Sequence, residues 1–224
     1  VEAIRRLPYP DQGDPDAKLW RQRAATSSWV VRHLQERRVR RVLDLGCGYG
    51  WLSARIAREG GMDVTAFDAS AIELERAREA FGSIPRIEWT CGDLFDASWS
   101  PTPFDAVVAC GSIQYFPDLD ALFARLSTLL EPSGEILVFD SPLWRRAQVA
   151  AARRRSHGYY ASLGLAELAS GFHQHAREDL DRFGASWYYL PDSWPARVRR
   201  HLLGQPVSSF PVVGIPASRV PARS

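Results

Sequence analysis

The sequence predicts an α/β fold, and three observations carry that prediction. From Arg40 onward, short apolar runs alternate with longer segments of helical periodicity, the pattern of parallel strands joined by right-handed helical crossovers. The runs are rich in Val, Ile, Leu, Phe and Ala, as strands covered on both faces are. One of them, Val42 to Leu45, leads directly into a glycine-rich turn.

Taken in order, Asp14 to Gln35 reads as an amphipathic helix with Pro15 near its first turn, a favourable place for proline. Five strands follow: Arg41 to Leu45, Asp63 to Phe67, Ile87 to Cys91, Ala106 to Cys110 and Glu135 to Phe139. Between them, Trp51 to Glu59, Ala71 to Phe81 and Leu119 to Leu130 space their apolar residues as helices do. Ser70 and Asp118 stand where N-caps are wanted, and Pro132-Ser133-Gly134 is expected to end the third of these helices. After Asp140 the texture becomes rich in Arg and aromatic residues. Helices are expected there from about Leu143 to Leu163 and from about Glu178 to Phe183, with strands near Ser186 to Leu190 and Phe210 to Ile215. Pro216 to Ser224 reads as a loose tail.

The 224 residues suffice for one α/β domain with a buried core and are too few for two ordinary ones. With 46% hydrophobic and 24% charged residues the chain falls outside the disordered and fibrous classes. No apolar run approaches the roughly 18 residues of a membrane span, and Val1 to Pro10 lacks the apolar core of a secretory signal, so a cytoplasmic location is expected. Cys47, Cys91 and Cys110 form no CxxC pair and have no His at ligand spacing, which argues for reduced thiols and no metal. A net charge of +2 gives no global field directed at nucleic acid. Arg145, Arg146, Arg153, Arg154 and Arg155 form the one basic cluster, and a solvated helix face accounts for it; as a binding surface it would suit an anionic small molecule or lipid headgroup.

The stretch Val42-Leu43-Asp44-Leu45-Gly46-Cys47-Gly48-Tyr49-Gly50 carries the most chemical information. Dinucleotides and S-adenosylmethionine both use such a turn at a helix N-terminus. A dinucleotide fingerprint needs its third glycine at position 51, which is Trp51 here. Asp44, at the strand end, would repel a pyrophosphate and attract an ammonium group. Asp68 closes the next strand, where an acid accepts hydrogen bonds from ribose hydroxyls, and both cofactor classes contain ribose. Asp93, in Cys91-Gly92-Asp93-Leu94, could accept from an adenine amine while Leu94 packs on the ring. These acids follow successive strands along the carboxyl edge of one sheet, where open α/β sheets bind ligands.

With VLDLGCGYG, the Asp68 strand end, CGD, FDAVVACGSIQYFPD and LLEPSGEILVFDSP in this order, the chain resembles class I S-adenosylmethionine-dependent methyltransferases over about Arg40 to Pro142. The resemblance implies a Rossmann-like, mostly parallel seven-stranded sheet with helices on both faces and the last strand antiparallel. It implies Gly46, Cys47, Gly48 and Gly50 around the methionine portion, with Asp44 near its amino group. It further implies Asp68 on the ribose, Ala69, Asp93 and Leu94 around the adenine, and Cys110 with Gly111 near the sulfonium. Trp20, Arg23 and Thr26 look like the W-x-x-R-x-x-[ST] helix of some bacterial members, and Asp140-Ser141-Pro142-Leu143-Trp144 like their D-S-P-x-[YW] turn. Arg23 is then a candidate partner for the cofactor carboxylate. On this reading residues 1–39 form a helical cap, 40–142 the cofactor-binding core, and 143–224 an acceptor-side lid with the final strands of the same domain.

Methyl transfer is an in-line displacement in which alignment supplies most of the catalysis, so a base matters only for a protonated acceptor. Three residues are catalytic candidates. Tyr115 stands where family members often place an aromatic or His beside the methyl group, and is otherwise a packed aromatic. His173 and His175 fall in a lid-like segment and could serve as a base, against the plainer reading of a surface loop. Where amino-directed DNA methyltransferases carry Asn or Asp followed by Pro-Pro and an aromatic, this chain reads Cys110-Gly111-Ser112-Ile113, so a small-molecule acceptor is expected and nucleic acid is not. Methyl transfer to oxygen, nitrogen or carbon leads; a catalytically silent cofactor-binding or assembly module of the same fold is the alternative. A nicotinamide-dependent oxidoreductase is disfavoured by Asp44 and Trp51.

Overall fold

The computed structural model describes residues 1–11, 13–194 and 208–221. The strands foreseen in the first half form as expected: β1 (Arg41–Leu45), β2 (Asp63–Asp68), β3 (Ile87–Cys91), β4 (Phe104–Cys110) and β5 (Leu130–Phe139), all parallel. The helices between them are α3 (Trp51–Gly60), α4 (Ala71–Phe81) and α5 (Leu119–Thr128). Both N-caps are made: the Ser70 side chain accepts from the Glu73 N–H, and Asp118 from Ala121. A short α1 (Glu2–Arg5) and the long α2 (Ala17–Glu36) precede the sheet.

Beyond β5 the chain forms β6 (Leu143–Trp144), α6 (Arg146–Ser162), β7 (His175–Ala176), α7 (Glu178–Asp181), β8 (Ser186–Tyr189) and β9 (Val212–Pro216). The main sheet has seven strands in the order β3-β2-β1-β4-β5-β9-β8, and β9 is antiparallel to both its neighbours. Strand order reverses between β1 and β4, so their carboxyl ends diverge and leave a crevice, the usual ligand site of such sheets.

Alternating side chains supply two cores. On one face Val42, Val108, Leu137 and Phe139 pack with Leu34 of α2, Ile56 of α3 and Leu74 of α4. On the other, Leu43, Leu45, Val107 and Val138 pack with Leu122 and Phe123 of α5 and with Phe183 after α7. Burial on both faces is the physical reason the strands read as nearly unbroken apolar runs.

Buried polar ties fix α2 to this frame. The Arg55 guanidinium on α3, only 8% exposed, donates to the Ala24 carbonyl and to the Ser27 and Ser28 hydroxyls of α2, and pairs with Glu59 at 2.7 Å. At the other end of the helix, His33 Nε2 lies 2.8 Å from the Glu135 carboxylate of β5, which also accepts from the Tyr188 hydroxyl of β8 at 2.6 Å. Burial opposes the Glu135 charge, but these hydrogen bonds outweigh it and hold the carboxyl below the ordinary range.

Several expectations are corrected. Pro132-Ser133-Gly134 does not end α5: the helix stops at Thr128, and the cluster lies in the irregular start of β5, where the register to β4 shifts. Leu143 and Trp144 are not helical, because they pair with His175 and Ala176 in a two-stranded sheet too short to leave a sequence pattern. Of the tail expected from Pro216 to Ser224, residues 222–224 lie outside the described residues and the rest is not loose: Pro216 ends β9, and the following 3-10 turn, Ala217–Arg219, buries Ala217 with Val220 against the second core. Of the basic cluster, Arg145 pairs with Asp192 and Arg146 with Asp179, while Arg153, Arg154 and Arg155 are exposed.

Phe123 and Phe183 meet at 4.7 Å between ring centroids, joining α5 to the last third of the chain. Phe123→Ala should cost about 3–5 kcal/mol and shift one cooperative unfolding transition, measured by chemical denaturation with far- and near-ultraviolet probes. A separate transition for the last third would contradict a single cooperative unit.

Candidate functional site

The turn from β1 into α3 forms the floor of the site. Gly46 N and Cys47 N both donate to the Phe67 carbonyl, at 2.8 and 3.1 Å, and Gly48 N donates to Asp68 Oδ2 at 2.8 Å. The glycines of this turn do different work. Gly46, at φ +70, lets the loop after β4 approach, since a Cβ there would stand 2.6 Å from Ser112 Cβ. Gly50, at φ +74, caps α3, and a Cβ there would stand 2.5 Å from the Trp89 ring, so its role is packing.

Above this floor lies a cavity of about 840 Å³. Gly46, Cys47 and Gly48 line it from the β1 turn, Asp68 and Ala69 from the end of β2, and Asp93 and Leu94 from the loop after β3. Cys110, Gly111 and Tyr115 line it from β4 and the loop that follows, and Arg23 reaches it from α2. Two of the sequence-derived cofactor contacts do not line it: Gly50 and Asp44. Asp44 is 1% exposed beneath the turn, where its Oδ2 accepts from the Ser53 hydroxyl at 2.5 Å. Its side chain points from β1 into the α3 side of the sheet, away from the edge, so a direct contact with an ammonium group is replaced by a buried tie.

Each acid is conditioned by its surroundings. Asp68 spends one lone pair of each oxygen on the backbone, with Oδ2 accepting from Gly48 N and Oδ1 from Ser70 N, both at 2.8 Å, leaving further lone pairs open. Asp93 Oδ1 accepts from Phe95 N at 2.9 Å. Burial pushes Asp44 up to about 7; the Ser53 hydrogen bond opposes this and the Asp68 charge adds to it. Glu73 of α4, which the sequence reading missed, also lines the cavity and is raised by burial and by Asp68. Its position three residues after the Ser70 cap makes it look like a capping partner, which conceals the other role. The Cys47 thiol is pushed far up by burial, and so is that of Cys110, where the Asp140 carboxyl adds to the effect; neither offers a thiolate.

A second cavity of about 400 Å³ shares Arg23, Gly111 and Tyr115 with the first. Its remaining walls come from Asp140, Pro142 and Trp144, from Ser156 of α6, and from Phe172, Gln174 and Phe210, with Gln114 beside Gly111. Asp140, at φ +50, is pushed up to about 6 by burial, while the Arg23 charge and hydrogen bonds from Thr26, Cys110 and Ser208 oppose the rise.

Tyr115 is 62% exposed at the mouth, with its ring edge-on to Phe172 at 6.0 Å. Burial of its hydroxyl end and the neighbouring Tyr160 raise its pKa, which does not suit it to act as a base at neutral pH. His173 and His175 line neither cavity, contrary to the expectation of a lid-borne base. Pairing of β7 with β6 turns His175 inward, where Nε2 lies 3.2 Å from the Ile113 carbonyl and burial lowers its pKa. His173 donates its backbone N–H to the Gln114 carbonyl at 2.7 Å. Among the described residues no group of three or more His, Cys, Asp and Glu could hold a metal ion, and no helix is long and apolar enough to cross a membrane.

A family model for the methyltransferase domain matches residues 42–134. The chain is 39% identical over 97 residues to an uncharacterized methyltransferase of Mycobacterium bovis, a match covering 43% of this chain and 48% of that protein. It is 28% identical over 172 residues to a ubiquinone biosynthesis O-methyltransferase of Neisseria meningitidis, covering 70% of this chain and 71% of that one. An O-methyltransferase family protein from Burkholderia thailandensis shares the fold with a TM-score of 0.60 at 16% identity, covering 91% of this chain and 60% of its own. This chain thus spans about half the length of the mycobacterial relative. Residues 42–134 thus match a methyltransferase domain, and the chain shares the fold of the class I S-adenosylmethionine-dependent methyltransferases.

The residues present fit that class's cofactor. Arg23 lines the cavity, stacks on Trp20 at 4.7 Å and acts on the buried Asp140 carboxyl, so it brings a positive charge to the end of the cavity where an anionic group would lie. Asp68 offers its open lone pairs to hydroxyls from the rim.

The Asp44 shift fixes a pH dependence. Between about pH 4 and pH 7 the folded protein keeps a proton on this carboxyl that the unfolded chain releases, so this group lowers stability as pH rises through that window. Asp44→Asn removes the effect. Its stability relative to the parent protein should rise by about 3 kcal/mol between pH 4 and pH 7, measured by urea denaturation of the ligand-free protein. A difference independent of pH would contradict the assignment.

Proposed function

We propose that this chain transfers the methyl group of S-adenosylmethionine to an oxygen, nitrogen or carbon atom of a small-molecule acceptor held in the second cavity. The observation that carries this reading is the pair of cavities meeting at Arg23, Gly111 and Tyr115, one bounded by Asp68 and Asp93, the other by aromatic and polar side chains. A catalytically silent module would have its acceptor side filled or closed, and the cavity that the described residues leave on that side supports the catalytic reading. The similarity to a ubiquinone biosynthesis O-methyltransferase also supports a small-molecule acceptor. Residues 40–142 act as the cofactor-binding core, 1–39 as its cap and 143–224 as the acceptor side of the same domain.

When bound, S-adenosylmethionine supplies a sulfonium methyl group that needs no further activation. The protein's task is to hold and align. Asp68 would accept from the ribose hydroxyls, Asp93 and Leu94 would flank the adenine, and Arg23 would take the carboxylate. Such alignment is worth about 7 to 11 kcal/mol of the barrier. Arg23, Gly111 and Tyr115 line both cavities, and the Tyr115 ring meets Phe172 edge-on at 6.0 Å beside them. A neutral O–H or N–H acceptor sheds a proton on methylation, and the Asp140 carboxylate, which lines the second cavity and is raised to about 6, would receive it.

Calorimetric titration with S-adenosylhomocysteine tests the reading. The parent protein should bind it and ignore NADH, and Asp68→Ala should weaken binding at least about tenfold. No binding by the parent defeats the reading, and an unchanged constant in the variant removes Asp68 from the ribose.

A further inference from the structure

The loop after β3 brings Asp93 and Leu94 to the large cavity, yet little of it is buried. Leu94 is 3% exposed, whereas Asp93, Phe95, Asp96, Ala97 and Ser98 all face solvent. Its internal hydrogen bonds are local. Asp93 Oδ1 accepts from Phe95 N at 2.9 Å and Asp96 Oδ1 from Ser98 N at 2.8 Å, while Asp96 N and Trp99 N donate to the Asp93 and Asp96 carbonyls. Turns of this kind shape a loop but do not fix it against the sheet, and an exposed segment with few apolar contacts opens easily.

What fixes it comes from α5. Arg125 Nε donates to the Leu94 carbonyl at 2.8 Å, and Nη2 donates to the Asp96 carbonyl at 3.2 Å and to the Trp99 carbonyl at 2.6 Å. Nη1 donates to Thr128 Oγ1 at 3.3 Å, one turn further along the same helix. A planar guanidinium holds several acceptors at set angles, which a single ammonium group does not. The Trp99 ring adds an apolar tie, 4.6 Å from the Phe67 ring of β2, which also lines the large cavity. Arg125 itself does not line that cavity, so it grips the loop from behind. Asp93, with Oδ1 spent on Phe95 N, keeps Oδ2 for a ligand.

We propose that Arg125 is a positioning residue for adenine recognition: it holds the backbone of residues 94–99 by three carbonyls, and thereby sets Asp93 and Leu94 at the cavity wall without touching the ligand. This inference rests on the methyltransferase reading, in which Asp93 and Leu94 flank the adenine, and adds the residue on which their placement depends.

Two measurements on the full chain test it. In the ligand-free protein, backbone order parameters from nitrogen-15 relaxation should fall at residues 94–99 from about 0.85 to below about 0.6 in Arg125→Ala, with β3 unchanged. Calorimetric titration then compares S-adenosylhomocysteine with S-inosylhomocysteine, whose base carries an oxygen in place of the amine that Asp93 would accept from. The parent protein should prefer the adenosyl ligand by about tenfold. Arg125→Ala should cut that preference to about twofold, chiefly by weakening the adenosyl ligand, and so should Arg125→Lys, which keeps the charge and loses the fork. A merely structural role would weaken both ligands alike. That outcome, a preference retained in the variants, or an unchanged loop overturns the inference. If Arg125→Ala does not fold, Arg125→Lys decides. S-adenosylhomocysteine binding by the parent separates the two levels: its absence defeats the methyltransferase reading, whereas binding with no preference for the amine, or with one indifferent to Arg125, defeats only this inference.

Discussion

One carboxylate joins the turns on which the site is built. Asp68 takes the Gly48 N–H on one oxygen and the Ser70 N–H on the other, so the turn after β1 and the turn after β2 are held at a fixed separation. Hydrogen bonds to a charged acceptor are among the stronger ones in proteins, about 1.5 to 3 kcal/mol each. The same residue lines the cavity, so bracing the cradle and facing its interior fall to one side chain. Its neighbours depend on this placement: Gly46 lies against the loop after β4, and Ser70 starts α4 with Glu73 facing the cavity.

The electrostatics of the cradle favour a cation. Asp44 and Glu73 are both raised by burial and by the Asp68 charge, which means that carboxyl groups here repel one another at the expense of their ionised forms. A positive ligand relieves that repulsion, and a pyrophosphate adds to it. Among the described residues Arg23 is the one basic side chain lining the large cavity, and it also lines the second cavity. Together they suit a zwitterionic amino acid joined to a cationic sulfur.

Legibility in the sequence follows the range of the interactions concerned. The parallel strands were legible because double-faced burial writes a run of apolar residues, and the caps at Ser70 and Asp118 because their chemistry is local. The glycine turn announced itself, although its members divide between floor and packing in a way that only Trp89 and Ser112, distant in sequence, determine. The two-residue β6 and β7 leave no periodicity, and the direction of His175 depends wholly on their pairing. The second cavity draws on α2, β6, α6 and residues 172, 174 and 210, which no local pattern brings together.

The account stands or falls on where a nucleoside ligand lies. A crystal structure of the protein with S-adenosylhomocysteine should show both ribose hydroxyls within hydrogen-bond distance of the Asp68 carboxylate and the sulfur beside Gly111, facing the second cavity. A ligand seated elsewhere on the chain, or one in the large cavity with its ribose turned away from Asp68, would contradict it.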